Sequence, residues 1–374
     1  MAGGARMPEA LRNTLPPGVF NFFNSQASEP GWKGRLLKMK KILGVLLVLS
    51  LVVFVAGCGS SGTAEKNNTS QEAGSVSPVK LGIIQIAEHP SLDAAREGFL
   101  EVLAENGYEE GKNLVVEYHN AQGDIATANT IAQKLVGDQV DLVLAIATPA
   151  AQAIASATDE IPILITAVTD PVAAELVETL EKPNTNVTGT TDMNPVKEQL
   201  ALVKEFVPEA QKVGIIYNTS EKNSEVQVNI AREVAPELGV ELVEVAATST
   251  NEVLQVAQSL VGKVDAIYVP TDNTVVSALA SVVQVAEEND IPLIVGEGDS
   301  VRQGGLATIG IDYRKLGRQT GEMALRILED GAKPQDMPIE AQKDYELIIN
   351  KKAAANMGVE IPQRLLEKAD KIFE

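Results

Sequence analysis

The first candidates for ligand chemistry are polar residues at the ends of predicted strands. Thr148 ends one such strand, and Pro149 stands where the next helix is expected to begin. A threonine followed by proline is typical of an N-cap and the first helical position. The free amides of Ala150 and Ala151, with the positive end of the helix dipole, would then suit a carboxylate. Plain helix capping is the alternative interpretation.

An internal repeat places an acid opposite this threonine. Asp141 and Asp265 occupy equivalent positions in two similar stretches of the chain, and their spacing pairs Thr148 with Asp272. One half of the molecule would therefore offer a hydroxyl group and helix amides, while the other half offers a carboxylate.

A second alignment of the two halves, in which Pro162 corresponds to Pro292, pairs Thr169 with Asp299. Further acids follow other strands, although some of them are expected to be helix caps or solvated turns because the chain is so acidic. The predicted ligand-binding residues are Glu88, Ser91, Thr148, Ala150, Ala151, Thr169, Asp170, Asp192, Asn218, Asp272, Asn273, Asp299 and Asp312.

Amides that attract a carboxylate and acids that attract an ammonium group together predict a zwitterion. The expected ligand is therefore an α-amino acid. Charge-assisted hydrogen bonds contribute about 1.5–3 kcal/mol each, and a micromolar complex needs about 8 kcal/mol after ordering costs. Apolar contacts must share that work, and Met193, Tyr217 and Tyr313 are available for them.

Enzymatic chemistry is not favoured. The two histidines, His89 and His119, lie far apart, although His89 could touch a ligand from the first loop. No metal-ligand spacing, Walker loop, nucleophile elbow or dinucleotide fingerprint opens a β/α unit. We expect no catalytic residue, no metal and no cofactor. A sugar or nucleoside receptor stays open as an alternative, but only three Phe and no Trp follow residue 57.

The elements that must position these residues alternate along the chain. Short β-branched runs are separated by amphipathic segments, which predicts an α/β fold with a parallel sheet covered on both faces. The predicted strands in the first half are 80–86, 114–118, 142–146 and 163–168, and the predicted helices are 91–106, 125–136 and 149–157.

The second half repeats the first. The segment 132–137 (AQKLVG) matches 257–262 (AQSLVG), and 82–84 (GII) matches 214–216. The matches keep their order, so the sequence predicts two homologous, doubly wound, Rossmann-like lobes. Two such lobes around a hinged cleft are the architecture of a type I periplasmic binding protein, which binds ligands beyond the carboxyl ends of its strands.

The predicted boundaries divide the globular part into two discontinuous lobes. The first lobe is expected to comprise residues 79–193 and about 307–333. The second lobe is expected to comprise residues 194–306 and about 334–374. Asp192 then lies near the first crossover between the lobes, and Asp312 lies near the second.

The N-terminal region predicts export and lipidation. Lys38, Lys40 and Lys41 precede an uncharged run of about 14 residues, too short to span a bilayer. The run ends at 55–58 (VAGC), which resembles a bacterial lipobox with Cys58 as the lipidated residue. Residues 1–57 would then be a removed signal peptide. An uncleaved short anchor is the alternative.

The segments on either side of the predicted signal sequence support this interpretation to different degrees. Residues 58–78 are polar and predict a flexible tether. Residues 1–38 form a doubtful upstream extension, which translation from Met39 instead of Met1 would remove.

The chain carries a net charge of −20, and the first 57 residues hold seven of its 31 basic residues, so nucleic acid is excluded as a partner. Cys58 is the only cysteine, which excludes disulfides.

Six segments resemble those of the ABC transporter substrate-binding family that includes tryptophan- and tyrosine-type receptors. They are 88–93 (EHPSLD), 147–152 (ATPAAQ), 169–172 (TDPV), 192–196 (DMNPV), 270–274 (PTDNT) and 309–313 (IGIDY). The resemblance covers about residues 79–350. It implies an extracytoplasmic, membrane-anchored, monomeric receptor that hands a small solute to separate permease and ATPase subunits, and it favours an aromatic amino acid as that solute.

Overall fold

The structure, a computed structural model, describes residues 77–374. The predicted signal peptide, Cys58 and nearly all of the tether lie outside the described residues. The strands are β1 (Val79–Gln85), β2 (Leu114–Asn120), β3 (Leu142–Ile146), β4 (Ile163–Val168), β5 (Val187–Thr191), β6 (Lys212–Tyr217), β7 (Glu241–Ala246), β8 (Ala266–Val269), β9 (Leu293–Val295), β10 (Ala307–Gly310), β11 (Glu340–Ala341), β12 (Glu346–Asn350) and β13 (Lys371–Phe373). The helices are α1 (Pro90–Glu105), α2 (Ile125–Gly137), α3 (Thr148–Ala155), α4 (Val196–Phe206), α5 (Lys222–Val234), α6 (Val253–Gln258), α7 (Asn273–Ser277), α8 (Leu279–Glu288), α9 (Gly298–Arg302), α10 (Tyr313–Leu328), α11 (Lys351–Asn356) and α12 (Gln363–Lys368).

The strands form two sheets of related topology. The first sheet has the order β11-β5-β4-β3-β1-β2, and all of its neighbouring strands are parallel. The second sheet has the order β13-β12-β10-β9-β8-β6-β7, in which only β10 and β12 pair in antiparallel fashion. The repeated order β2-β1-β3-β4-β5 and β7-β6-β8-β9-β10 confirms two doubly wound α/β lobes.

The sequence repeat corresponds to a repeated packing contact. A Cβ atom on Gly82 of β1 would lie 3.0 Å from the Leu135 side chain, and one on Gly214 of β6 would lie 2.6 Å from Leu260. Both leucines occupy the same place in the matched six-residue segments. Each lobe thus needs a side-chain-free position on its first strand so that the following helical segment can pack closely.

Helix α10 packs against α1 in backbone contact. A Cβ atom on Gly317 would lie 1.9 Å from the carbonyl oxygen of Ala95, and one on Gly98 would lie 2.2 Å from that of Arg314. No side chain fits at either point. Leu316 of α10 is completely buried in the core of the first lobe. Helix α10 is therefore an integral part of that lobe, although it follows most of the second lobe in the chain.

The lobe boundaries differ from the predicted ones. The segment 307–310, predicted in the first lobe, is strand β10 of the second sheet, because Ala307 pairs with β9 and with β12. The segment 334–341, predicted in the second lobe, buries Met337 and Ile339 in the first core and adds β11 to the first sheet. The chain therefore crosses between the lobes three times, at 192–195, 311–312 and 342–345.

Candidate functional site

A cavity lies between the lobes, beyond the carboxyl ends of the strands. Its empty space is about 300 Å³, part of which is open to solvent. Both lobes contribute to its wall. The first lobe contributes His89, Leu92, Ala167, Thr169, Asp192 and Tyr313, and the second contributes Asn223, Thr271, Asn273, Val276 and Glu297.

Two surface grooves define the ends of this cavity. The hinge groove is lined by Ile311, Asp312 and ten other residues, and it shares Tyr313 with the cavity. The mouth groove is lined by Glu88, Thr248 and ten other residues, and it shares Asn273 with the cavity. The mouth groove adjoins the loops after the edge strands β2 and β7, on the side away from the crossovers. The cavity therefore has a hinge end and a mouth end.

Two buried carboxyl groups face the cavity. Tyr313 donates a hydrogen bond of 2.6 Å from its hydroxyl to Asp192 Oδ2, and Ser300 donates one to Glu297 Oε1. The second oxygen of each acid, Asp192 Oδ1 and Glu297 Oε2, is buried without a partner in the described chain. Burial raises the pKa of Asp192, and burial raises the pKa of Glu297 to about 8. Their charged forms need a cation.

Other polar side chains at the cleft also lack partners among the described residues. They include both ring nitrogens of His89, Asn223 Oδ1 and Thr271 Oγ1, all of residues on the cavity wall. Burial lowers the pKa of His89 to about 4, so its imidazole is neutral at physiological pH. Because a buried polar group without a partner is costly, so many at one place indicate that a polar ligand completes them.

The cavity wall can bind a cation. No lysine, arginine or cysteine lines it in the described part of the chain. Among residues 77–374 no group of three or more metal-ligating side chains comes together. Two acids without a protein cation therefore fit an ammonium group of a ligand.

Three of the predicted ligand-binding residues line the cavity, namely Thr169, Asp192 and Asn273. Thr169 lies beside the Asp192 carboxyl group. Glu88 is exposed in the mouth groove.

Ser91 and Asp299 do not line the cavity but join the two lobes. Ser91 Oγ of α1 donates a hydrogen bond of 3.2 Å to Asp299 Oδ2 of α9. Because this bond joins the two lobes, we assign it to closure rather than to direct ligand recognition.

Four other candidates lie in local structural hydrogen bonds outside the cavity wall. Asp272 caps α7 through the Val275 amide, and it also binds the Asn218 amide and Ser224. The candidate Asn218 itself bonds to Thr274. Asp170 accepts the amides of Val172 and Ala173, and Asp312 caps α10 through Lys315. Acids that follow strands thus divide into caps and cavity residues, which the spacing alone does not separate.

Thr148 is not the N-cap that the sequence predicts. Helix α3 begins at Thr148 itself, its N-cap is Ala147 with a φ of 78°, and no side chain caps it. Pro149 therefore stands one position further into the helix. Thr148, Ala150 and Ala151 are buried outside the cavity wall, and α3 contacts α5 of the opposite lobe.

Only one of the three side chains that were predicted to make apolar contacts with the ligand lines the cavity. Tyr313 lines the cavity at its hinge end. Tyr217 donates its hydroxyl to Glu244, away from the cavity, and Met193 lies in the first crossover, where its carbonyl oxygen accepts a bond from Tyr345.

Glu297, Asn223 and Thr271 are the site residues that sequence reasoning missed. The signal for Glu297 was present, because the alignment that pairs Thr169 with Asp299 also pairs Ala167 with Glu297. Both of these residues line the cavity. Asn223 and Thr271 carry no comparable signal, since asparagine and threonine are ordinary in loops and at helix starts.

A family model described as ABC transporter substrate binding protein matches residues 80–373. The chain belongs to this family. It is 45% identical, over 84% of its own length and 91% of the relative's, to the tyrosine-binding protein of Clostridioides difficile. Proteins of this family are extracytoplasmic solute-binding proteins that serve ABC transporters. Within residues 77–374 no helix is both long and apolar enough to cross a membrane.

Two solved structures bear on the conformation of this substrate-binding protein. An ABC domain from Streptococcus pneumoniae in complex with L-Trp is 39% identical, with a TM-score of 0.76 over 79% of this chain and all of that chain. A ligand-free, open substrate-binding protein from Clostridium difficile is 48% identical over 79% and 99% of the chains, yet its TM-score is 0.60. The more similar sequence gives the poorer superposition. The arrangement of the lobes is therefore more similar to that of the L-Trp complex than to that of the open, ligand-free protein.

Proposed function

We propose that this substrate-binding protein captures an aromatic α-amino acid and delivers it to the permease and ATPase subunits of an importer. The observation that carries the proposal is the pair of buried acids on the cavity wall, Asp192 and Glu297, each with one oxygen that has no partner among the described residues. The tyrosine-binding relative and the L-Trp complex support the aromatic class. The protein acts as a receptor rather than as an enzyme.

The ammonium group of the ligand would lie at the hinge end, between the two acids. A charged amine supplies donors for both open oxygens, and its positive charge removes the reason for either carboxyl group to stay protonated. Asp192 belongs to the first lobe and Glu297 to the second, so one ammonium group held by both would favour the closed arrangement.

The carboxylate group of the ligand would bind to a hydroxyl group. Thr271 follows β8 and lines the cavity, and its hydroxyl is buried without a partner in the described chain. This hydroxyl can donate a hydrogen bond to a carboxylate.

Calorimetry tests the proposal. The purified protein should bind L-tyrosine or L-tryptophan, whereas tyramine and 3-(4-hydroxyphenyl)propionate, which lack one charged group each, should bind at least about tenfold more weakly. Binding of a sugar or nucleoside, with no response to any amino acid, would transfer the receptor to one of those ligand classes.

We further propose that Cys58, outside the described residues, carries a lipid that anchors the protein, which otherwise acts as a monomer. Cells fed a fatty-acid analogue should label the wild-type protein and not Cys58→Ser. Equal labelling of the two proteins would contradict the anchor.

A further inference from the structure

His89 occupies the mouth end of the cavity and has no protein partner there. It precedes α1 at the N-cap position but makes no capping hydrogen bond. Both ring nitrogens are buried and lack partners among the described residues. The neighbouring Asp93 does not serve them, because its carboxyl group is taken by Gln85 and Arg96. The side chain of Asn273, from the opposite lobe, lies next to the ring.

The cavity wall also carries apolar side chains. Leu92 of α1 and Val276 of α7 line the cavity from opposite lobes. A neutral imidazole carries one donor and one acceptor nitrogen. The cavity therefore offers buried acids, apolar surface and a hydrogen-bonding imidazole to one ligand.

We propose that His89 determines ligand specificity by hydrogen bonding to a polar group on the far end of the aromatic side chain, a ring hydroxyl or an indole N–H. This inference rests on the proposed function, which places the ammonium group at Asp192 and Glu297. The ligand class is then narrowed from aromatic amino acids in general to those with a polar ring substituent. Phenylalanine would leave the His89 nitrogens buried and unpaired.

Matched ligand pairs test this inference. L-Tyrosine and L-phenylalanine differ by one hydroxyl, and L-tryptophan and 1-methyl-L-tryptophan differ by one donor. In calorimetry with the wild-type protein, the polar member of at least one pair should bind roughly five- to hundredfold more tightly. His89→Leu should bring that ratio close to one, because phenylalanine then leaves no imidazole nitrogen unpaired. His89→Gln, which keeps hydrogen-bonding groups, should retain part of the preference.

A matched control is His119→Leu, which alters a half-buried histidine on β2 that pairs with Glu117 at 2.9 Å. Its ratios should equal those of the wild type. An unchanged ratio in His89→Leu overturns the inference, and so does an equal loss for both members of a pair, which would make His89 only a closure residue. A wild-type protein that binds both members equally also overturns it, with the proposed function intact. If the protein binds no aromatic amino acid, both this inference and the proposed function are overturned.

Discussion

Two pairs of buried carboxyl groups lie near each other in the cleft, and they differ in what satisfies them. Asp192 and Glu297 face the cavity with one open oxygen each. Glu221 and Asp272 lie behind the wall that Asn273 forms, and each of their oxygens accepts at least one hydrogen bond from the second lobe. The donors to this second pair are Asn218, Asn223, Ser224, Asn273, Thr274 and Val275.

Burial alone therefore does not identify a binding acid. Burial raises the pKa of Glu297 to about 8, and burial together with the charge of Glu221 raises that of Asp272 to about 7. The two pKa values are raised by similar amounts. Both oxygens of Asp272 accept hydrogen bonds from their own lobe, whereas one oxygen of Glu297 has no donor among the described residues. A buried carboxyl oxygen without a hydrogen-bond partner, rather than a shifted pKa, therefore identifies an acid that binds the ligand.

The largest effect is expected from neutralising the cavity pair. Asp192→Asn and Glu297→Gln should each weaken amino-acid binding by about 2–5 kcal/mol, because a buried ammonium group loses its charged partner. Calorimetry measures the affinity, and thermal unfolding of the ligand-free proteins should show stability equal to or above that of the wild type. Wild-type affinity in both variants would contradict the assignment of the ammonium site.

The satisfied pair should behave in the opposite way. Asp272→Ala removes a helix cap and leaves buried amides unpaired, so the free energy of unfolding should fall by about 2–3 kcal/mol. The folded fraction should still bind ligand with an affinity within a few-fold of the wild type. Denaturant unfolding combined with calorimetry separates the two quantities. Strong loss of affinity at unchanged stability would make Asp272 a ligand residue after all.

The pH dependence should follow the cavity pair. An acid with a raised pKa binds protons more tightly in the closed, empty form, so that form loses stability as the pH rises from about 4.5 to about 8. Because an ammonium group needs the ionised carboxylates, protons compete with the ligand. Affinity should therefore fall as the pH is lowered below about 8, by at most tenfold per pH unit for each proton displaced. Calorimetry in buffers of different ionisation enthalpy counts those protons, and tighter binding at lower pH would refute the linkage.

The smallest effect is expected at the lobe contact outside the cavity. Ser91→Ala removes the bond to Asp299 and should cost the closed form about 0.5–1.5 kcal/mol. Affinity should drop by no more than about tenfold for every ligand alike. Calorimetry with two different amino acids checks this, since a ligand-selective loss would place Ser91 in the recognition site.

Much of the fold followed from the sequence because hydrophobic runs and the repeat are local signals. The predicted strands at 142–146 and 163–168 match β3 and β4 in their bounds. The sequence places the lobe boundary near β10 wrongly, because the apolar residues of a strand do not indicate which sheet the strand joins. Which sheet accepts Ala307 depends on the open edge of β9, a long-range property of the assembled lobe.

The site was harder to predict because its acids and its helix caps follow strands in the same way. Asp192 and Asp272 look alike in the sequence, and only the folded chain shows which oxygens are already bonded. His89 had a weak signal for the same reason, since a histidine after a strand is also a common turn residue. The missing information is the set of partners brought together from both lobes.

The backbone contact between α1 and α10 has a consequence for the order in which the protein can fold. The first lobe begins at Val79, but its core includes Leu316, Met337 and Ile339, which are synthesised more than two hundred residues later. Until then the surface of α1 around Ala95 has no cover. The earliest part of the chain must therefore remain incomplete until nearly the last, and such high contact order predicts slow folding with a long-lived exposed face.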